Sequence, residues 1–307
     1  MSRTDSSTVV VVHHRRHAVS GFLAFLGDLW RERGLLGAFI RKDLKVKYRG
    51  SALGVGWTMI RPLVQLLVYA VVLGIFLGFG DQIPSFGFFM FVGIATFGLF
   101  NEALSSSTRS IVAGAPLIKK IAFPRELLPL AAVGGSIVNF GFLLLTLVLA
   151  YVVSGQFPDW TYLPMVIPAL LTVIVWSVAL SFVLSAWNVY YRDTGFLLEV
   201  ALMMLFWLTP VIYAWSAVRN TISEHQLPEW LFGLYMANPM ATAVVAMQQA
   251  MWPGLDAATT SGNSRQFVYF TSLWTPGLWL PLAVGLIAVF VGQRIFARLQ
   301  AGFAVAL

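Results

Sequence analysis

Long apolar stretches, separated by short polar connections, recur along most of the 307-residue chain. A helix needs about 20 apolar residues to cross the hydrocarbon core of a bilayer, and these stretches are long enough. The two-residue alternation of a membrane β-barrel does not occur. The pattern therefore predicts an all-α membrane protein with six transmembrane helices, at 58–79, 86–112, 127–153, 162–187, 195–214 and 276–294.

A different pattern occupies residues 22–49, where apolar residues at helical spacing are interleaved with Lys and Arg. This pattern is typical of an amphipathic helix on the inner membrane surface, and we expect a break near Gly34. We expect residues 1–21 to form a flexible cytoplasmic arm and 22–307 to form a single transmembrane domain. The dense charges of "RKDLKVKYRG", 41–50, fix the topology and bind lipid headgroups, or they act on a substrate; the residues alone leave both open.

The basic residues also indicate the direction of the spans. The connections after the first and third predicted spans contain no Lys or Arg, so they face outward and both termini are cytoplasmic. Residues 230–252 are nearly long enough to span, but Asn238-Pro239 interrupts them, because proline lacks an amide donor and blocks the preceding turn. We therefore predict two short helices that dip into the outer leaflet and return. Of the basic residues, only Arg219 and Arg265 then lie on the outer side of the membrane.

Composition supports a membrane protein and excludes several kinds of catalytic and metal-binding site. Hydrophobic residues make up 58% of the chain and charged residues 11%, and there is no cysteine for a disulfide, a thiolate metal site or a nucleophile. The chain has no phosphate-binding loop for ATP, no paired acids for Mg²⁺ and no Ser-His-Asp or H-E-x-x-H pattern. We expect no catalytic residue, metal or cofactor in this chain, no nucleic-acid partner, and transport driven by energy supplied elsewhere.

If a separate motor protein supplies this energy, the chain must offer it a rigid cytoplasmic surface. The segment "GAPLIKKIAFPRELLPL", 114–130, is predicted to form that surface. Two prolines bracket a short helix whose apolar residues are flanked by basic ones, a pattern that docks into grooves on partner proteins. A simple interfacial turn between two spans is the alternative. The residues concerned are Pro116, Leu117, Ile118, Lys119, Lys120, Ile121, Phe123, Pro124, Arg125 and Glu126.

Polar residues also occur inside the second predicted span, in "FNEALSSSTR", 100–109. Exposing Asn101, Glu102, Ser105 and Arg109 to lipid is costly, so they should face a water-filled cavity or another helix. The alternative is hydrogen bonding between helices, with Glu102 paired to a cation such as Arg109 or one on the amphipathic helix. The many aromatic residues of the outer connection form an interfacial belt or stack on sugar rings.

Four co-linear segments are similar to the membrane subunits of ABC-2 type exporters for lipid-linked polysaccharides, the group that includes O-antigen, teichoic acid and cell-wall galactan exporters. They are "DLKVKYRGSALGVGWTMIRPLVQ" at 43–65, "LIKKIAFPRELLP" at 117–129, "WNVYYRDTGFLLEVALMMLFWLTPVIY" at 187–213 and "ANPMATAVVAMQQ" at 237–249. The resemblance covers nearly everything after residue 20. It implies a homodimer in the bacterial cytoplasmic membrane, bound to two copies of an ATP-binding subunit that holds ATP and Mg. It also implies an undecaprenyl-pyrophosphate-linked glycan as substrate, for lipopolysaccharide or cell-wall synthesis.

The resemblance also implies roles for particular residues. Residues 114–126 become the coupling helix that receives the ATP-binding subunit, and 22–49 become the interfacial helix. Residues 228–252 become the outer gate, with Trp230, Phe232, Tyr235, Asn238, Pro239 and Trp252. We expect Arg41, Lys45, Lys47 and Arg49 to hold the pyrophosphate headgroup, since Arg and Lys suit phosphate binding.

Three other functions remain possible. A drug or small amphipathic substrate exporter of the same ABC-2 class differs only in motif details. An ion-coupled secondary transporter also needs no ATP motif, but few buried acids suit ion coupling and no inverted repeat with paired broken helices is evident. A membrane-bound polyprenyl enzyme is disfavoured because it needs acidic residues for Mg²⁺.

Overall fold

A computed structural model of the chain describes residues 25, 27, 29–47, 56–121, 123–255 and 267–306. The described residues contain helices and no strand, which confirms the predicted all-α class. The predicted arm, 1–21, and Arg49 lie outside the described residues. In chain order the α-helices are α1 Arg33–Lys47, α2 Trp57–Val68, α3 Phe79–Gln82, α4 Phe86–Ala113, α5 Ala115–Ile118, α6 Leu127–Ser154, α7 Val166–Tyr190, α8 Thr194–Trp207, α9 Trp215–Glu224, α10 Trp230–Met236, α11 Pro239–Met251, α12 Pro276–Leu299 and α13 Phe303–Ala306.

Four helical segments in the described part of the chain are long and apolar enough to cross a membrane. They are Phe86–Ala113, Leu127–Ser154, Leu163–Tyr190 and Pro276–Gly302, and α10 with α11 makes a fifth if the bent pair is counted as one span. These segments coincide with four of the six predicted spans. The chain is therefore an integral membrane protein.

The first predicted span, 58–79, is helical but irregular. The α-helix α2 continues directly into a π-helical segment, Tyr69–Phe76, and the helix stops at Leu77. Gly78 follows with a φ of 73°, a left-handed conformation that glycine adopts without steric cost. The helical length is close to the prediction, whereas the π-helical half could not be read from the sequence.

The fifth predicted span, 195–214, is wrong in length. Helix α8 ends at Trp207, and residues 208–214, here called the unwound segment, are non-helical. Pro210 blocks continuation of the helix, and side chains of the following bent pair satisfy the freed carbonyls. Asn238 Nδ2 donates to Leu208 O at 3.5 Å, and Gln248 Nε2 donates to Val211 O at 3.0 Å.

Helix α11 is the reason that non-helical backbone is tolerated at this depth. Every residue of α11 from Met240 to Met251 is buried, and irregular backbone within a membrane protein persists where protein surrounds it. The pair α10 and α11 is bent by 78°, and the predicted break at Asn238-Pro239 is present. Asn238 Oδ1 accepts a hydrogen bond from Met240 N at 3.0 Å and so caps α11.

Small residues set the packing of the central helices. A Cβ on Gly285 of α12 would lie 2.9 Å from Trp176 Nε1 of α7, and a Cβ on Gly292 would meet the carbonyl oxygen of Ala179. Close backbone approach of this kind is typical of helix pairs in membranes. Ser181 Oγ of α7 also donates to Ser107 Oγ of α4 at 2.7 Å, in a fully buried position. Helices α4, α7, α11 and α12 thus form a compact core against which the candidate site is built.

Candidate functional site

One side of α4 presents a row of polar side chains, here called the polar face. Its members recur every three or four residues, the spacing of one helix face. Asn101, Ser106 and Arg109 are exposed, and Glu102 and Ser105 are half-buried. The opposite side of the same turns is packed into the core, through Phe100, Ala103, Leu104 and Ser107. The sequence therefore places polar and apolar residues on opposite faces of one membrane helix, and the fold leaves the polar one uncovered by the described residues.

A cavity of about 350 Å³ adjoins the polar face. It lies between α1, α4 and α6, and it carries hydroxyl, amide, carboxylate and ammonium groups side by side. The polar residues that line it are Lys42, Asp43, Glu102, Ser106, Arg109, Ser110, Ser136 and Asn139. The volume falls within the range of ligand pockets, about 300–1,000 Å³. Its lining suits a hydroxyl-rich molecule, because it offers both donors and acceptors and no excess of one charge.

The ion pairing within the polar face differs from one of the two predicted alternatives, the pairing of Glu102 with Arg109. Asn139 Nδ2 of α6 donates to Glu102 Oε1 at 2.6 Å. Arg109 does not pair with Glu102; its Nη2 donates to Glu199 Oε1 of α8 at 2.6 Å. The signal for this partner was present in the sequence, because Glu199 is the one acidic residue in the apolar run "GFLLEVALMMLFWL".

The segment 114–126, here called the basic turn, is more folded back on the protein than predicted. The short helix α5 ends at Ile118, and Ile118 packs against the cluster of buried residues between α7 and α12. Phe123 lies edge-on to Phe39 of α1, with ring centroids 5.6 Å apart. Ile118 and Phe123, which we predicted as apolar docking residues, are thus half-buried against their own chain, and their contact with a partner stays a prediction.

The end of the basic turn is held by the C-terminal residues. Arg125 Nη1 donates to Gln300 O at 2.5 Å, and its guanidinium lies 5.9 Å from the ring centre of Phe303. Glu126 is only 8% exposed and accepts a hydrogen bond from Gln300 Nε2 at 3.2 Å. Arg125 and Glu126 thus position the turn rather than form its outer surface.

What the basic turn offers outward is a small mixed surface, which we call the docking tip. It consists of Pro116, Lys119, Lys120 and Ile121, all exposed. Ile121 is 57% exposed. The tip combines this exposed isoleucine with the two lysines that precede it in the chain, and it holds the exposed side chains among the described residues of the predicted coupling segment.

The basic residues of α1 lie along an exposed surface. Arg41 and Lys45 are exposed, and Arg41 Nε donates to Gly37 O at 3.1 Å within the helix. Lys47 is the last residue of α1, and Arg49 lies outside the described residues. Lys42, which the sequence did not single out, lines the cavity beside the polar face.

The predicted outer gate divides into exposed and buried residues. Trp230 is 65% exposed, whereas Trp252 is 1% exposed and its Nε1 donates to Pro84 O at 2.7 Å. Trp252 is therefore a core residue, and the prediction that it faces the gate is wrong. Phe232 and Tyr235 of α10 stack on each other with centroids 6.3 Å apart.

An aromatic cluster extends from these two rings. Phe232 also contacts Trp215 and Tyr269, at 6.1 and 6.3 Å, and Arg219 lies 5.9 Å over the Phe232 ring. Burial raises the pKa of the Tyr269 phenol, and the nearby Arg219 partly offsets this. A neutral aromatic surface with one cation at its edge follows.

One structural residue was missed by the sequence. Gln249 of α11 is 2% exposed, and its Oε1 accepts from Tyr269 N at 3.1 Å and from Phe270 N at 3.0 Å, while its Nε2 donates to Phe270 O at 2.5 Å. These bonds attach the loop before α12 to the bent pair. Within the described residues, no three His, Asp or Glu side chains converge as a metal site requires.

Comparison with known proteins gives a consistent result. The sequence profile of the ABC-2 type transporter family matches residues 34–252, which include the polar face, the basic turn and α11. The chain is 33% identical to the O-antigen export system permease protein RfbA of Myxococcus xanthus over 226 residues, covering 72% of this chain and 81% of that relative. Two proteins of the same name from Klebsiella pneumoniae are 26% and 24% identical over 270 residues, covering 88% of this chain and 93% of each relative.

Proposed function

The chain belongs to the ABC-2 type transporter family, and on this premise we propose that it is the membrane subunit of an ATP-driven exporter of a lipid-linked polysaccharide. The relatives named above are O-antigen export permeases, which favours a polysaccharide over a drug as cargo. We propose an undecaprenyl-pyrophosphate carrier for the glycan. The subunit works in the bacterial cytoplasmic membrane with both termini cytoplasmic.

The polar face of α4 is the observation that carries the proposal. Helix α4 is 28 residues long, and Arg109 lies four residues before its end at Ala113. Glu102 therefore sits about 16 Å from that end, inside the hydrocarbon layer. Side chains such as Asn101 and Ser106 are exposed at this depth in the protomer. Because polar groups facing lipid are costly, the polar face needs a water-filled route or a second copy of the chain beside it.

A homodimer meets this requirement. Two copies that turn their polar faces toward a shared space create a hydrated route lined by Asn101, Glu102, Ser105 and Arg109. Neutral hydroxyl-rich sugars suit such a lining, because its groups form many weak hydrogen bonds and no single strong one. The aromatic residues of α10, exposed Trp230 with half-buried Phe232 and Tyr235, form the outer end of the route.

Energy enters from a separate ATP-binding subunit, present in two copies. The docking tip is its proposed contact, because Ile121 is the exposed large apolar side chain among the described residues of the basic turn and two lysines precede it. Arg125 and Glu126 hold the tip to the C-terminal residues, so that force applied there reaches α12. The basic residues Arg41, Lys45, Lys47 and Arg49 attract the anionic headgroup to the inner leaflet.

Changing Ile121→Asp in the complete transporter tests this function. Burying an isoleucine at an interface contributes about 1.5–3 kcal/mol, so we expect co-purification of the ATP-binding subunit and polysaccharide export to fall about tenfold or more. Leu227→Asp is the matched control, since Leu227 is 45% exposed and lies between α9 and α10, away from the basic turn. It should leave both measurements unchanged.

Two results would count against the proposal. Normal binding and export in the Ile121→Asp variant would show that the motor does not use the docking tip. Uphill transport by the purified chain in vesicles without any ATP-binding subunit would favour an ion-coupled transporter instead.

A further inference from the structure

The ion pair between Arg109 and Glu199 has the properties of an exchangeable contact. Only one hydrogen bond joins the two side chains, from Nη2 to Oε1 at 2.6 Å, although a guanidinium carries five donors. The side chains are 62% and 55% exposed. An exposed pair joined by a single bond is among the weakest of ionic contacts. A stronger anion can therefore displace Glu199 from Arg109.

This pair is also what ties α8 to α4 by polar contact. In the described part of the chain, no other side-chain hydrogen bond or ion pair connects α8 with α4. The apolar attachment is narrow, through Leu198 and Leu202, which are buried, and through Phe206, whose ring meets Phe97 at 5.4 Å. The other side of α8 is uncovered by the described residues, at Phe196, Leu197, Val200, Met203, Met204 and Trp207. Loss of the ion pair thus leaves only this apolar contact to hold α8 against α4 in the described part of the chain.

The depth of Arg109 in the membrane indicates which kind of anion can compete with Glu199. Arg109 lies about 6 Å before the end of α4 at Ala113, and Glu199 lies one and a half turns after the start of α8 at Thr194. Both ends adjoin basic connections, so the pair sits at the level of lipid headgroups. Phosphate groups are the strongest anions at this level, and guanidinium binds them with two parallel hydrogen bonds.

The cavity adjoining Arg109 is lined by both charged and neutral polar groups. Lys42 and Arg109 are its cations, and Asp43 and Glu102 are its carboxylates, which repel an anion. Ser106, Ser136 and Asn139 add neutral hydrogen-bonding groups. An anionic headgroup therefore stays at Arg109, and an uncharged, hydroxyl-rich part of the same molecule fits the interior.

We propose that Arg109 binds the phosphate headgroup of a lipid-linked substrate by releasing Glu199, and that this exchange removes the polar contact that holds α8 against α4 beside the polar face. The inference rests on the proposed function, because it makes the substrate headgroup the signal that moves α8. Arg109 is thus a substrate-binding residue, and Glu199 is a positioning residue that holds α8 against α4 when no headgroup is present.

The distance between α4 and α8 measures the exchange directly. The chain has no cysteine, so spin labels attached at Ala113→Cys and Phe196→Cys report on these helices without background. The full chain is placed in phosphatidylcholine nanodiscs, alone, with undecaprenyl pyrophosphate, or with phosphatidylglycerol at equal charge. We expect the distance to lengthen with undecaprenyl pyrophosphate and to stay short in the other two membranes.

Charge variants separate the two roles. Glu199→Gln should show the long distance without ligand, and it should bind undecaprenyl pyrophosphate up to about fivefold more tightly, since the anion no longer displaces an exposed ion pair. Arg109→Gln should also separate the helices but bind the lipid weakly, so its distance should not respond. Arg192→Gln is the matched control, because Arg192 is an exposed cation in the turn before α8, and it should behave as wild type. The double variant Arg109→Glu with Glu199→Arg should restore the short distance and remain unresponsive, which excludes misfolding as the cause.

Three outcomes would overturn the inference. The first is a wild-type distance that does not change with undecaprenyl pyrophosphate. The second is an equal response to phosphatidylglycerol, which would assign the site to bulk anionic lipid, and the third is an unchanged affinity of Arg109→Gln for undecaprenyl pyrophosphate. None of these measurements involves transport or ATP. If the assembled wild-type transporter exported no polysaccharide while the distance still responded to undecaprenyl pyrophosphate, the proposed function would be contradicted and the ion-pair exchange would stand.

Discussion

Gly93 lies where α4 meets the unwound segment, and replacing it with alanine tests that contact. An added Cβ would lie 2.7 Å from Gln248 Nε2 and would also meet the carbonyl oxygen of Val211. These two groups are hydrogen-bonded to each other at 3.0 Å. A methyl group at this point must therefore move α4 away from the segment or break the bond that holds Val211.

The expected magnitude follows from three contributions. Overpacking costs about 1–3 kcal/mol, and a buried carbonyl that loses its partner costs about 1–3 kcal/mol. The change from glycine to alanine in a helix returns about 0.5–1 kcal/mol. We expect Gly93→Ala to lower the free energy of unfolding by about 1–5 kcal/mol, with a midpoint of about 3 kcal/mol.

Gly98→Ala is the matched control on the same helix. No atom outside the helix backbone lies within 4 Å of an added Cβ at Gly98, so only the helix-propensity gain of about 0.5–1 kcal/mol applies. The assay is reversible unfolding of both variants in mixed micelles, titrated with a denaturing detergent and followed by tryptophan fluorescence. A Gly93→Ala variant as stable as Gly98→Ala would refute the packing of α4 on the unwound segment.

The other predictions concern residues whose roles the fold revealed. Gln249→Met should destabilise the protein by about 2–5 kcal/mol, because two backbone amides and one carbonyl lose their partner. Hydrogen exchange should accelerate at the amides of Tyr269 and Phe270, and unchanged exchange there would contradict the role of Gln249 in holding the loop. Trp252→Ala should cost about 3–5 kcal/mol, whereas Trp230→Ala should stay within about 0.5 kcal/mol. Thermal unfolding of the two variants side by side decides between these values, and equal losses would show that Trp230 is not exposed in the assembled protein.

Some of the fold could be predicted because the physical cause is local. A run of about 20 apolar residues becomes a membrane helix wherever it occurs, and four predicted spans coincide with helices of sufficient length. The break at Asn238-Pro239 is equally local, since proline removes an amide and asparagine caps the next helix. The polar face was also evident, because its residues recur at helical spacing in an otherwise apolar segment.

Other features depended on contacts between distant parts of the chain. The fifth apolar run, 195–214, is as hydrophobic as its neighbours, yet it unwinds after Trp207. Pro210 is the local cause, whereas the side chains of Asn238 and Gln248, which donate hydrogen bonds to the carbonyls of Leu208 and Val211, come from a distant part of the chain. The basic turn has the composition of a docking helix, but Ile118 and Phe123 pack against their own chain, and among the described residues of the turn Ile121 is the large apolar side chain left exposed. Likewise the sequence around Trp252 is typical of an interfacial tryptophan. In the structure Trp252 is buried and donates a hydrogen bond to the carbonyl of Pro84.

The sequence by itself determined that the chain is helical, that it lies in a membrane and that one of its helices has a polar face, because apolar length, proline and helical period act within a few turns. Only the tertiary structure decided which polar groups pair and which apolar residues stay exposed. Arg109 meets Glu199 across 90 residues of chain, and the apolar runs on either side of them would allow other partners. Pairing of this kind is set by how helices pack, and packing depends on the whole set of surfaces that the chain must bury.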